Sequence, residues 1–139
     1  MRTALIIPLL LPLGPTIAQA QDAANGEKMF AQCRACHQIG PTAKNAVGPV
    51  LNGIIGRTAG TVEGYNYSPA NKNSGIIRDE ATFAEYAKDP KAKVQGTKMI
   101  YAGLKDEQRV KDLIAYLKQF DTAGQKAAAL MKLHRLAVR

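Results

Sequence analysis

Apolar residues recur with a helical period in three stretches of the chain. The clearest is 106–120, where Val110, Leu113, Ile114 and Leu117 fall at i, i+3, i+4 and i+7. Asp106 and Glu107 put negative charge at the positive N-terminal end of that helix. Stretch 22–36 carries Ala23, Met29, Phe30 and Cys33 on one face, with Asp22 in position to cap it. Stretch 79–89 brings Phe83, Tyr86 and Ala87 together, and Pro90 ends that helix or restarts a short turn. Residues 40–75 contain seven glycines and three prolines, and no periodicity there outlasts a turn. They read as one long loop, and 95–103 reads as another. A long loop in a small domain is normally functional or wrapped round something. Nothing alternates with period two for long enough to make a sheet, so the pattern predicts an all-α fold. No internal repeat is present.

The first twenty residues stand apart. Met1 and Arg2 precede an apolar run over 4–13 that Pro8 and Pro12 interrupt, and Ala18-Gln19-Ala20 has the small-x-small form of a signal-peptidase site. The run falls far short of the roughly 20 residues a membrane span needs. The expectation is an exported protein, cleaved after Ala20 to begin at Gln21. It would work outside the cytoplasm, where free thiols tend to oxidise.

The chain has 139 residues, enough for one domain, with 46% hydrophobic and 22% charged side chains. Collagen-like, disordered and disulfide-scaffold classes are excluded by that composition and by a count of two cysteines. There is no Trp, and aromatic residues make up 6%, so the chain's own side chains build a thin core. Something else is expected to fill the interior. The net charge is +8, which favours an acidic partner. The leader holds one arginine and no acid, so its loss lowers the charge to +7. Residues 122–139 hold Lys126, Lys132, Arg135 and Arg139 and no acid, which leaves only +3 on the domain between. Leu130, Leu133 and Leu136 can form a helical stripe in that tail, suited to a membrane surface or a partner helix; the alternative is a frayed basic end.

The chemistry is concentrated in Cys33-Arg34-Ala35-Cys36-His37. This is C-x-x-C-H, the spacing of c-type haem attachment. Two thiols about one helical turn apart can each add to a haem vinyl group, and the histidine that follows supplies an axial nitrogen. A thioredoxin-like dithiol is the alternative, but the strand–helix alternation it requires is missing. Half of a zinc site is another, but there is no second cysteine pair, and His134 lies far off in the tail. Met29, Met99, Met131, His134 and the lysines are candidates for the sixth iron position. Met29 is just ahead of His37 on the same predicted helix and cannot reach the far face; Met131 and His134 belong to the tail. Met99 sits on the Gly96-Thr97-Lys98-Met99 loop, where it either ligates iron or fills a core gap. His/Met ligation closes both axial positions and raises the potential.

Several motifs in order carry a resemblance: Cys33-Arg34-Ala35-Cys36-His37, Val47-Gly48-Pro49, Gly56-Arg57, Tyr65-Asn66-Tyr67-Ser68-Pro69-Ala70-Asn71-Lys72 and Gly96-Thr97-Lys98-Met99-Ile100-Tyr101-Ala102-Gly103. With them the chain resembles a class I cytochrome c over 26–120, most closely the exported bacterial cytochrome c2 kind, related to mitochondrial cytochrome c. The resemblance implies one haem c, joined by thioethers to Cys33 and Cys36, with His37 and Met99 as axial ligands. It implies that the Pro49 carbonyl accepts from the ligand histidine, that Arg57 and Tyr67 bond a haem propionate, and that Asn71, Tyr86 and Thr97 form a polar cluster beside the methionine. Gly26 and Phe30 are expected against Leu113 and Tyr116. Lys28, Lys44, Lys91, Lys98 and Lys105 fall at or near positions that ring the haem edge in that family.

Two residues depart from the family pattern. Arg78 stands where the resemblance implies a tryptophan, and Gln95 where it implies a proline. Both predict a weaker hold on Met99. The resemblance implies a periplasmic one-electron carrier acting as a monomer, between a cytochrome bc1-type complex and a terminal oxidase or photosynthetic reaction centre. Acidic faces of those complexes are the expected partners, with no nucleic acid and no stable membrane insertion. The rival expectation is a haem enzyme or a gas or peroxide sensor with a labile Met99.

Overall fold

The computed structural model describes residues 20–127. The predicted leader up to residue 19 and the tail from 128 onward lie outside the described residues. Among the described residues five helices follow in order: α1 (Ala23–Phe30), α2 (Pro69–Lys72), α3 (Glu80–Lys88), α4 (Pro90–Lys93) and α5 (Glu107–Leu117). Among the described residues there are only two isolated β-bridges, Thr58 with Ile77 and Phe120 with Lys126. No described helix is long and apolar enough to cross a membrane.

Aspartates start most of these helices. Asp22, Asp79, Asp89 and Asp106 accept from backbone N–H groups in the first turns of α1, α3, α4 and α5, which satisfies donors that have no partner inside the helix. Ser68 does the same for α2, with Pro69 following at the first helical position. The expected helix over 22–36 is shorter than its pattern. Regular α-structure ends at Phe30, and bonds from Ala31, Cys33 and Cys36 reach back only three residues. Phe30 O accepts from Cys33 N and Arg34 N, and Cys33 O from Cys36 N and His37 N. These tighter turns bring Cys33, Cys36 and His37 to one wall.

α1 and α5 cross at the centre of the core. Phe30 is 1% exposed, and its ring centroid lies 5.4 Å from that of Tyr116. Val110, Leu113, Ile114 and Leu117 are all buried in the same cluster, as their spacing predicts. The crossing is close because α1 presents Gly26: a Cβ there would stand 1.9 Å from Asp112 O.

Asp112 is buried on the apolar side of α5, yet it is a carboxylate. Its oxygens accept from Asp22 N at 2.9 Å, Asn25 Nδ2 at 2.6 Å and Gln108 Nε2 at 2.9 Å. The Asp22 amide, then Asn25 and Gln108, hold its pKa below the ordinary value, against the opposing effect of burial. A depressed folded pKa gives stability that is complete above the ordinary carboxylate range and is lost as pH falls through the folded value. The unfolding free energy should therefore drop below about pH 4. Asp112→Asn should be less stable by about 1.5–3 kcal/mol at neutral pH and should flatten that acid limb. Denaturant titrations at a series of pH values measure both.

The loop that follows α4 is fastened at both ends. Thr97 N donates to Val94 O at 3.1 Å, and Leu104 N to Ala87 O at 2.8 Å. Gly103 has φ +93°, and a Cβ there would meet Lys88 O at 1.9 Å, so the loop lies directly on the end of α3. After α5 the chain folds back. Ala127 N donates to Gln119 O, and the Lys126 ammonium sits over the rings of Tyr116 and Phe120 at 5.6 and 5.2 Å. The first residues of the basic extension thus pack on the domain.

Candidate functional site

Below the α1–α5 crossing lies a largely apolar cavity of about 260 Å³. Cys33, Cys36, His37, Pro49, Arg57, Tyr67, Asn71, Tyr86, Thr97 and Met99 all line it. The ten residues singled out from the sequence therefore meet at one place, drawn from the turns after α1, the long loop, α2, α3 and the 95–103 loop.

His37 is fixed from behind. Its Nδ1 lies 2.8 Å from Pro49 O. A carbonyl accepts only, so Nδ1 carries the proton and Nε2 keeps its lone pair. Gly48 backs the ring so closely that a Cβ would stand 2.3 Å from Cε1. Burial lowers the His37 pKa, the Pro49 bond opposes that, and Arg78 and Arg57 add to the lowering. The imidazole is held neutral, the form that ligates a metal.

Cys33 is not poised for dithiol exchange. Burial, and then the neighbouring Cys36, push the Cys33 thiol up to about 11. Redox-active cysteines have depressed values, because the thiolate is the nucleophile. A zinc site also finds no support in the geometry: among the described residues, no three His, Cys, Asp or Glu side chains gather to hold an ion.

Met99 ends a chain of donors. Arg78 Nη2 donates to Asn71 Oδ1 at 3.3 Å, and Asn71 Nδ2 to Thr97 Oγ1 at 2.9 Å. Thr97 Oγ1 also accepts from Met99 N at 3.3 Å, and it lies 3.5 Å from the Tyr86 hydroxyl. That hydroxyl donates to Met99 Sδ at 3.4 Å. Its one proton is committed to sulfur, so in the Thr97–Tyr86 pair the threonine hydroxyl is the donor. The side-chain links then point from the guanidinium towards the sulfur.

Arg57 is held by loop carbonyls, Nη1 on Asn52 O at 2.6 Å and Nη2 on Val50 O at 3.0 Å. Its Nε is buried without a partner. Tyr67 is half-buried, its ring edge-on to Tyr65 at 4.7 Å, and burial raises its pKa. The sequence does not show the supporting roles of three further residues. Asn52 bonds both the N–H and the C=O of Gly40, and the Tyr65 hydroxyl donates to Val47 O. Ser68 is the third, and the Ser-Pro pair at the start of α2 was a legible cap.

At the other departure, Gln95 occupies the second position of the Val94–Thr97 turn, with Gly96 third at φ +86°. Positive φ at the third residue marks a type II turn, which favours proline at the second. Gln95 N makes no backbone bond that proline would remove. Gln95→Pro should stabilise the protein by about 0.4–1 kcal/mol, read as a raised melting temperature.

The cytochrome c family model matches residues 23–121. The chain belongs to the cytochrome c family. It is 66% identical over 109 residues to cytochrome c2 of Blastochloris viridis, covering 78% of this chain and 86% of that protein. It is 56% identical over 107 residues to cytochrome c-550 of Nitrobacter winogradskyi, covering 77% and 98%. Among solved structures, cytochrome c2 of Rhodospirillum centenum matches with a TM-score of 0.69 at 42% identity, covering 72% of this chain and 98% of that one. Cytochrome cH of Methylobacterium extorquens matches with a TM-score of 0.66 at 50% identity, covering 70% and 97%. This cytochrome c is thus an electron carrier and not an enzyme. Its family implies covalently bound haem c. The cavity suits that group: apolar walls, two thiols, a neutral imidazole with a free lone pair, a thioether, and an orphaned guanidinium nitrogen.

Proposed function

We propose that this cytochrome c is a periplasmic one-electron carrier with a single haem, joined by thioethers to Cys33 and Cys36 and ligated by His37 and Met99. The observation that carries the reading is the gathering of those four side chains on one cavity, with His37 held neutral by burial and oriented by Pro49. When bound, the haem supplies the reversible one-electron couple. Arg57 and Tyr67 would hold its carboxylates, and Asn71, Thr97 and Tyr86 would orient the methionine. Two closed axial positions suit electron passage rather than binding of oxygen or peroxide.

The carrier works as a monomer, after removal of residues 1–20, with 21–121 as the haem domain and 122–139 as a basic extension. It takes electrons from a cytochrome bc1-type complex and delivers them to a terminal oxidase or a photosynthetic reaction centre. Val47 and Ile100 are exposed, 74% and 94%, and line the cavity with Lys98. An apolar rim with Lys98 beside it suits a brief contact with an acidic face.

Mature protein from the periplasm should begin at Gln21 and keep its haem through acid–organic extraction. The ferric form should show the far-red band of a methionine–iron bond. Loss of the haem on extraction, retention of residues 1–20, or absence of that band each sinks the corresponding part. Electron transfer to an acidic partner should slow as salt rises, since exposed charges are screened over about 8 Å at physiological ionic strength. Charge reversal at Lys98 should slow it further at low salt, and a rate indifferent to salt would remove the lysines from the docking contact.

A further inference from the structure

Two arginines face this apolar cavity with no counter-ion from the chain. Thr58 and Ile77 form an antiparallel bridge, and Arg78 N donates to Arg57 O at 3.0 Å beside it. Residues opposite each other on such a pair present their side chains to one face. Both guanidiniums accordingly line the cavity, and Arg78 is only 6% exposed. All eleven acidic side chains lie among the described residues, and none comes within 4.0 Å of either guanidinium.

Like charges held opposite each other repel. A buried charge without a partner is strongly destabilising. The groups that do touch Arg78 are neutral: the Asn71 amide, and the Tyr86 ring 5.1 Å from the guanidinium. Neither cancels a charge. Arg57 spends its two outer nitrogens on carbonyls and leaves Nε unsatisfied. The occupant of the cavity must therefore bring negative charge to this pair.

We propose that Arg78 is a cofactor-binding residue that pairs with a carboxylate of the haem and, with Arg57, keeps that carboxylate ionised. The inference rests on the haem reading above, because haem carries carboxylates and no acidic side chain of the protein reaches either guanidinium. A planar guanidinium matches a carboxylate with two parallel donors. The pairing has a redox consequence. An ionised carboxylate favours the ferric state, which carries one more positive charge, and a paired cation offsets this.

The test is the ferric/ferrous equilibrium of the holoprotein, followed by spectroelectrochemistry between about pH 5 and 8. Besides the arginines, the ionisable groups facing the cavity are Tyr65, Tyr67, Tyr86, Tyr101, Lys98 and His37, with the two thiols. In the holoprotein His37 is a ligand and the thiols are thioethers, so none of these three adds a titration in that window. The wild-type equilibrium should be flat with pH. Arg78→Gln should shift it about tenfold or more towards the ferric form, and the shift should grow as pH rises through the released carboxylate. Arg78→Lys, which keeps the charge, should stay within about threefold of wild type and flat.

A pyridine haemochrome spectrum is taken first. If it shows no haem c, the haem reading fails. If haem c is present and Arg78→Gln matches wild type in midpoint and pH profile, the arginine pairing fails. A one-proton slope already present in the wild type also overturns it, and that result needs no variant to fold. Repeating the wild-type titration with inorganic phosphate in place of a bulky buffer separates a haem carboxylate from a free anion. A midpoint that follows phosphate concentration overturns the proposal; an unchanged one supports it.

Discussion

Met99→Ala is expected to lower the reduction potential by on the order of 100 mV or more and to abolish the far-red ferric band. A thioether is a soft ligand that favours the ferrous ion, and alanine offers no donor to replace it. The surroundings make the effect large rather than subtle. The loop carrying Met99 is fastened at Thr97 and at Leu104. The Tyr86 hydroxyl loses its sulfur acceptor as well. Lys98 is the adjacent side chain and lines the same cavity, so a lysine-ligated form is the expected product at high pH. Spectra and potentiometry on the variant check all three points. An unchanged band and potential would remove Met99 from the iron.

Gly26→Ala is expected to be strongly destabilising. Helices α1 and α5 touch through backbone at this position. The added carbon would lie 1.9 Å from Asp112 O, 2.6 Å from Asp112 C and 2.8 Å from Tyr116 Cβ. Two of those are main-chain atoms, so no rotamer relieves the contact and the helices must move apart. Separation stretches the Asp112 bonds to Asp22 and Asn25 and opens the Phe30–Tyr116 contact. Overpacking usually costs about 1–3 kcal/mol, and a backbone clash belongs at or above the top of that range. For a domain near 100 residues that means a fall in melting temperature of roughly 15 °C. Thermal unfolding by circular dichroism decides it; a drop of only a degree or two would show that the crossing is compliant.

The sequence was a good guide wherever the information is local. Asp22 caps α1 as expected, and Asp106, expected to place charge at the start of α5, caps that helix as well. The attachment motif is five residues long, and Met99 stands out on a loop with few rivals. Helix α2 was missed because four residues are too few to show a period. The helix over 22–36 was drawn too long because its apolar spacing continues through Cys33, although the backbone bonds tighten after Phe30. Asp112 was not legible at all. An acid on a helix reads as solvated surface, and the groups that justify its burial lie 90 and 87 residues away. Arg78 was visible as a departure from the family pattern. Its place opposite Arg57 is a product of chain pairing that no periodicity records.

The side-chain amide of Asn71 has no freedom to turn over. Its oxygen faces the Arg78 guanidinium and its nitrogen faces Thr97, and a flip would set donor against donor at the arginine. The direction of every later link follows from that one orientation. The dipoles around the Met99 sulfur are therefore set by the fold and stay set, whichever charge sits at the centre of the cavity. Electron exchange is fast when the surroundings have little to rearrange, so this locked amide contributes a low reorganisation energy.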